Sequence, residues 1–180
     1  MSATTWYIAR SSGIVAYLLL SSSVVLGALM AGRTKFTWPR FAVEEVHRFL
    51  ALLSGVFSVV HGLALLLDTV VPISLTQAIV PFASPYRPFA VGLGVLAAEL
   101  AAAGGITNLF RSRLPRKLWR RVHYLTLAVW GLATVHGFLA GTDRFDPWFA
   151  AIAMGTVSAV AIVLFTRFSP RRFSKDGVAA

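Results

Sequence analysis

Residues 46–62 read VHRFLALLSGVFSVVHG, and residues 122–137 read VHYLTLAVWGLATVHG. Each stretch opens on Val-His and closes on Val-His-Gly, with Gly55 in the middle of the first and Gly131 in the middle of the second. Arg48 is the only charged residue in either. A membrane-crossing helix needs about 20 mostly apolar residues, and both stretches belong to candidate spans, the first beginning just before its uncharged run. Working outward, uncharged or nearly uncharged runs define five spans, at about 11–32, 49–67, 88–110, 122–142 and 147–166. A sixth run, 69–86, contains Pro72, Pro81 and Pro85. Proline removes a helical hydrogen bond and clashes with the preceding turn, so this run reads as a loop with a short interfacial helix near 74–80.

Composition agrees with this assignment. The 180 residues are 57% hydrophobic and 13% charged, with a mean hydropathy of +0.72. A soluble domain carries about 25% charged residues, which excludes that class, and disorder is excluded for the same reason. Cys is absent, so there is no disulfide framework, iron–sulfur cluster or thiol chemistry. The expected fold is all-α, one domain over 1–180, an integral membrane bundle of five helices.

The net charge of +10 is mostly a topology signal. Of seventeen cations, fourteen fall in three segments. Arg33, Lys35, Arg40 and Arg48 follow span 1. Arg111, Arg113, Arg116, Lys117, Arg120 and Arg121 follow span 3. Arg167, Arg171, Arg172 and Lys175 follow span 5. Only Arg10, Arg87 and Arg144 lie on the other side. Basic loops stay cytoplasmic, which predicts the N-terminus outside and the C-terminus cytoplasmic. The basic segments also contact anionic headgroups of the lipid bilayer; no nucleic-acid partner is expected. Trp6, Tyr7, Trp38, Trp119 and Trp148 fall near span ends, as an interfacial belt does. Span 1 is too long for the apolar region of a secretory signal and its basic residues follow it, so it is expected to stay attached.

The chemistry rests on the histidines. There are four, His47 and His61 in span 2 and His123 and His136 in span 4. The two spans run in the same direction, so His47 and His123 share one depth and His61 and His136 another, ~20 Å away at 1.5 Å per residue. Zinc takes four ligands, or three and water, and neither level has a Cys or a nearby carboxylate. A haem supplies four nitrogens of its own, and two imidazoles complete its iron's coordination. Two b-type haems, on the axial pairs His47/His123 and His61/His136, fit this inventory best. The plainer reading is four polar residues that help helices pack. Fourteen residues return within about 40° of one helix face, whereas thirteen miss by about 140°; span 4 must therefore kink or present its histidines on different flanks.

With these residues in place, the sequence resembles the ferric reductase-like transmembrane domain family, which includes ferric-chelate reductases, NADPH oxidases and the haem membrane subunit of periplasmic methionine sulfoxide reductase. In that family two helices each carry two histidines at thirteen- or fourteen-residue spacing and hold two haems b. The stretches Trp6-Tyr7-Ile8-Ala9-Arg10, Val80-Pro81-Phe82-Ala83-Ser84, and His136-Gly137 followed by Ala140-Gly141-Thr142-Asp143 are similar to bacterial members, which implies a bacterial plasma membrane. The resemblance implies electron transfer from a cytoplasmic-side donor to an extracytoplasmic acceptor such as ferric iron or oxygen. Outward flow is downhill by about 2.3 kcal/mol per 100 mV. Family members commonly have six spans, and this chain has five. Many continue into a flavin- and NAD(P)H-binding domain, but here only about a dozen residues follow span 5, with no glycine-rich nucleotide motif. The donor is therefore expected to be a separate flavin dehydrogenase or membrane quinol, and the chain an oxidoreductase component. An alternative is a quinol-linked haem subunit feeding an extracytoplasmic reductase. From other classes come a haemless scaffold or small transporter, and a haem chaperone.

Other residues keep two readings each. Arg48, Arg120 and Arg121 adjoin the cytoplasmic histidines, where they would pair with haem propionates or serve only topology and lipid contact. Arg87 and Arg144 would do the same outside, or attract an anionic acceptor. Glu99, the one carboxylate inside a span, is either a proton relay or a neutral acid bonded to a neighbouring helix. Phe57 and Trp130 lie between the two haem levels, either bridging them or packing the bundle.

Overall fold

The computed structural model describes residues 3–168, apart from 33–35 and 70. Arg33, Lys35, Arg171, Arg172 and Lys175, which contribute to the charge asymmetry, lie outside the described residues. The described residues form seven helices and no strand: α1 (Ala3–Ala31), α2 (Arg40–Leu66), α3 (Leu75–Ile79), α4 (Pro88–Leu109), α5 (Arg116–Tyr124), α6 (Thr126–Ala140) and α7 (Pro147–Phe168). Five helical segments are long and apolar enough to cross a membrane, with α5 and α6 together making one of them. The fold is an all-α membrane bundle.

Two helices begin well before their uncharged runs. α1 already includes Trp6 and Arg10, because Arg10 forms an ion pair with Asp143 instead of ending the helix. α2 starts directly after Pro39, and Arg48 donates to Glu45 one turn earlier at 2.7 Å, so its charged first turns stay helical. That extension brings His47 into the same continuous helix as His61.

The run 69–86 is a loop, as its prolines dictate. Its short helix α3 is capped by Ser74, whose hydroxyl accepts from the Gln77 amide while the Gln77 side chain accepts from the Ser74 amide; this is a capping box. Phe82 and Arg87 have positive φ, at 65° and 41°, uncommon for residues with a side chain. Phe82 stacks on Phe89, and its ring fills the space where Gly92 has no Cβ. Buried Ser84 donates to the Tyr86 carbonyl and accepts from the Tyr86 amide. These contacts hold the turn that aims α4 back into the bundle.

α1 is the centre of the packing. It lies against α2 along its length and also meets α6 and α7, while α4 packs on α6. Ser12, Ser21 and Ser23 of α1 are buried. The Ser12 and Ser21 hydroxyls donate to carbonyls within α1, the usual way a membrane helix satisfies them. Small residues let backbones approach closely where no hydrophobic drive separates helix from lipid, and Ser54 of α2 accordingly donates to the Ala16 carbonyl of α1 at 2.9 Å. α2 does not pack to any comparable extent on α5 or α6. A gap separates them.

Candidate functional site

All four histidines are half-buried, and they meet in pairs across this gap. The His47 and His123 rings have centroids 6.1 Å apart and planes at 79°. The His61 and His136 rings stand 6.3 Å apart at 82°. Both pairs are those expected from the depths in sequence. In α2 the fourteen-residue interval keeps His47 and His61 near one face.

On the facing side the chain breaks at Leu125, between α5 and α6. The Leu125 amide bonds to the Val122 carbonyl, three residues back, and the Thr126 hydroxyl takes the His123 carbonyl at 2.7 Å. A tightened turn of this kind redirects a helix. The turn lies between His123 and His136, and each of the two meets a histidine of α2.

Three of the four rings are held by the same device. His47 Nδ1 lies 2.9 Å from the Ser23 carbonyl, His61 Nδ1 2.7 Å from that of Ala9, and His136 Nδ1 2.8 Å from that of Ala90. A carbonyl only accepts, so Nδ1 carries the proton and Nε2 keeps its lone pair. Four residues beyond each carbonyl stands a glycine. A Cβ at Gly13 would come within 2.9 Å of His61, at Gly27 within 3.1 Å of His47, and at Gly94 within 2.6 Å of His136. Each ring therefore packs against a glycine of the neighbouring helix while bonding to the carbonyl one turn earlier. His123 has no such bond among the described residues, and stacks instead on Trp119 at 5.1 Å and 14°. A backbone carbonyl bonded to the second ring nitrogen is a usual support of metal-ligating histidines, because the hydrogen bond sets ring orientation and tautomer.

The pair spacing fits one metal ion between two imidazoles. Nε2 lies about 1 Å outside its ring centroid, and a metal–imidazole bond is about 2.0 Å, which puts the centroids about 6 Å apart. Among the described residues no group of three or more His, Cys, Asp or Glu gathers. A metal here takes its other donors from elsewhere, as haem iron does from its porphyrin. A Cβ on Gly55 or Gly131 would meet nothing within 4 Å, so neither glycine is needed for packing.

The arginines divide. Arg48 is exposed and paired with Glu45. Arg120 donates to the Tyr124 hydroxyl, which Arg167 also reaches at 3.0 Å, and Arg121 is exposed. All three lie within three residues of His47 or His123. At the opposite end Arg87 donates to the Leu139 and Ala140 carbonyls, closing the last turn of α6. With Arg144, Phe89, Ala90 and Leu139 it lines a cleft of about 370 Å³ beside His136. Glu99 is exposed on α4, and no neighbouring helix among the described residues bonds to it, contrary to one reading of its sequence position. Trp130 donates to Ser21 at 3.0 Å, and Thr134 to Tyr17, which meets Thr156 at 2.9 Å. These bonds tie α1, α6 and α7 together between the two histidine levels. Phe57 is half-buried on α2.

Sequence reading missed Gly13, Gly27 and Gly94 and the carbonyls they expose. A signal was present: Gly13 and Gly27 are fourteen apart, the spacing of His47 and His61, on the antiparallel neighbour.

Comparison with curated proteins and with solved structures gives no match. Comparison with protein families matches residues 12–134 to the ferric reductase-like transmembrane component. The matched segment contains His47, His61 and His123 and stops two residues before His136. It covers most of the length, and the chain belongs to the ferric reductase-like transmembrane component family.

Proposed function

We propose that the chain is a single membrane electron-transfer unit in which His47 with His123, and His61 with His136, each ligate the iron of a b-type haem. The observation that carries this is the pair of ring separations, 6.1 and 6.3 Å, at two depths of one bundle. When bound, a b-type haem supplies a one-electron iron couple tuned by its ligands, their hydrogen bonds and burial.

The chain's residues do the rest. The carbonyls of Ser23, Ala9 and Ala90 hold three imidazoles with Nε2 facing the gap. Trp119 holds the fourth ring by stacking. The apolar helices exclude water. Arg48, Arg120 and Arg121 receive the carboxylates of the haem nearer the basic loops, by bidentate pairing of the kind guanidinium favours. With the basic loops cytoplasmic, the conduit runs from a separate flavin dehydrogenase or quinol inside to an acceptor such as ferric iron or oxygen outside. Arg87 and Arg144, at the cleft beside His136, draw an anionic acceptor toward that end. The setting is a bacterial plasma membrane.

The test is an optical spectrum of the purified protein, oxidised and then reduced by dithionite, with a pyridine haemochrome count. Two low-spin b-type haems per chain are expected, and one for His61→Ala. A chain that binds none when haem is plentiful during expression overturns the reading and leaves a haemless scaffold. Reduction by added quinol, against reduction by NADH with a flavin reductase, distinguishes the two donors.

A further inference from the structure

α1 and the turn after α6 meet at the His61–His136 end of the bundle. Arg10 of α1 forms an ion pair with Asp143, three residues past the end of α6. Its guanidinium carbon lies 5.0 Å from the Trp6 ring and 5.4 Å from that of Trp148 on α7, so the cation has an aromatic ring from each helix. Fully exposed ion pairs hold little. This one is different, because the Asp143 side chain is only 12% exposed and that of Arg10 29%, and a guanidinium near aromatic faces gains a further attraction.

The position of the pair gives it a consequence. Arg10 follows Ala9, whose carbonyl accepts from His61 Nδ1 and also from buried Ser12. Asp143 follows α6, which carries His136, itself held by α4 through Ala90. α2 and α6 do not pack on one another to any comparable extent, so the distance between His61 and His136 is not set by contact between their own helices. It depends on how α1, which holds His61, is tied to α6, through Trp130–Ser21 and Thr134–Tyr17 between the histidine levels and through Arg10–Asp143 at this end.

We propose that Arg10 and Asp143 are positioning residues: their ion pair, wedged between Trp6 and Trp148, sets the separation of His61 and His136 and so the ligation geometry at that level alone. The geometric part stands on the contacts above, and the ligation part rests on the haem reading.

Two measurements test it. The chain has no Cys, so Leu63→Cys on α2 and Leu139→Cys on α6, both exposed, can carry spin labels that report the α2–α6 distance near His61 and His136. One narrow distance distribution is expected in this background and with Arg10→Lys, which keeps the cation. A distribution broadened or displaced is expected with Arg10→Gln or Asp143→Asn. Unchanged distributions in both overturn the clamp, whether or not haem is present. The second measurement is the potential and low-spin spectrum of each haem, assigned by comparison with His61→Ala and His47→Ala. Arg10→Gln and Asp143→Asn should shift the potential or lower the low-spin fraction of the haem at His61–His136, with Arg10→Lys restoring it. The other haem, unchanged in the same sample, reports that the bundle is folded. Equal shifts in both haems, or none in either, overturn the local role. Absence of haem from the unsubstituted protein overturns the ligand reading, and the spin-label distances still decide the clamp.

Discussion

At the scale of single residues the site depends on the absence of side chains as much as on their presence. His136 occupies the volume that a Cβ on Gly94 would need. Gly94→Ala is expected to push the ring off the Ala90 carbonyl and destabilise the bundle by about 1–3 kcal/mol, the usual cost of overpacking. On the proposed two-haem reading, the haem count should fall from two toward one. Gly104→Ala, where a Cβ meets nothing within 4 Å, should leave the count unchanged and gain up to about 1 kcal/mol from helix propensity. The histidines themselves could be picked out as candidate ligands from sequence, since four residues of one type at matched intervals are countable. Their supports could not, because which carbonyl and which glycine a ring meets depends on how α1 and α4 lie beside α2 and α6.

At the scale of helices the break at Leu125 is expected to decide whether two histidines thirteen apart can act on one partner. The Thr126 hydroxyl, bonded to the His123 carbonyl, helps hold that turn. Thr126→Val keeps the shape and removes the bond. It should let α5 and α6 straighten and carry His123 away from His47. The expected result is selective loss of the low-spin signal from the His47–His123 level, with that of His61–His136 retained; an unchanged spectrum would exclude Thr126 from the turn. Spacing shows that a continuous helix fails here, but the site of the break depends on a local competition. A hydroxyl in reach of a carbonyl is common in membrane helices that stay straight, as Ser58 bonded to the Ser54 carbonyl within α2 illustrates.

At the scale of the whole molecule, a cofactor spanning the gap between α2 and α6 would join parts that otherwise meet through α1. Ligand that binds only the folded state stabilises it by about 4 kcal/mol at a thousandfold excess over Kd. Haem-depleted protein should therefore unfold at a clearly lower temperature. Orientation can be read in the same cysteine-free background. A cysteine replacing exposed Phe145 should react with an impermeant maleimide on intact cells, and one replacing exposed Leu118 only after lysis. The reverse pattern would invert the donor and acceptor sides of the proposal.

Five spans, the proline-rich loop and the two histidine levels follow from sequence because hydropathy, proline and helical rise act on neighbours along the chain. The starts of α1 and α2 are less legible, since Arg10 and Arg48 read as boundaries until their partners, Asp143 and Glu45, are known. Only tertiary structure decided that Ala9, Ser23 and Ala90 offer the carbonyls, that Gly13, Gly27 and Gly94 make room for the rings, and that Arg10 meets Asp143 between two tryptophans. Each of those contacts joins residues far apart in the chain, and its energy exists only once the helices have packed.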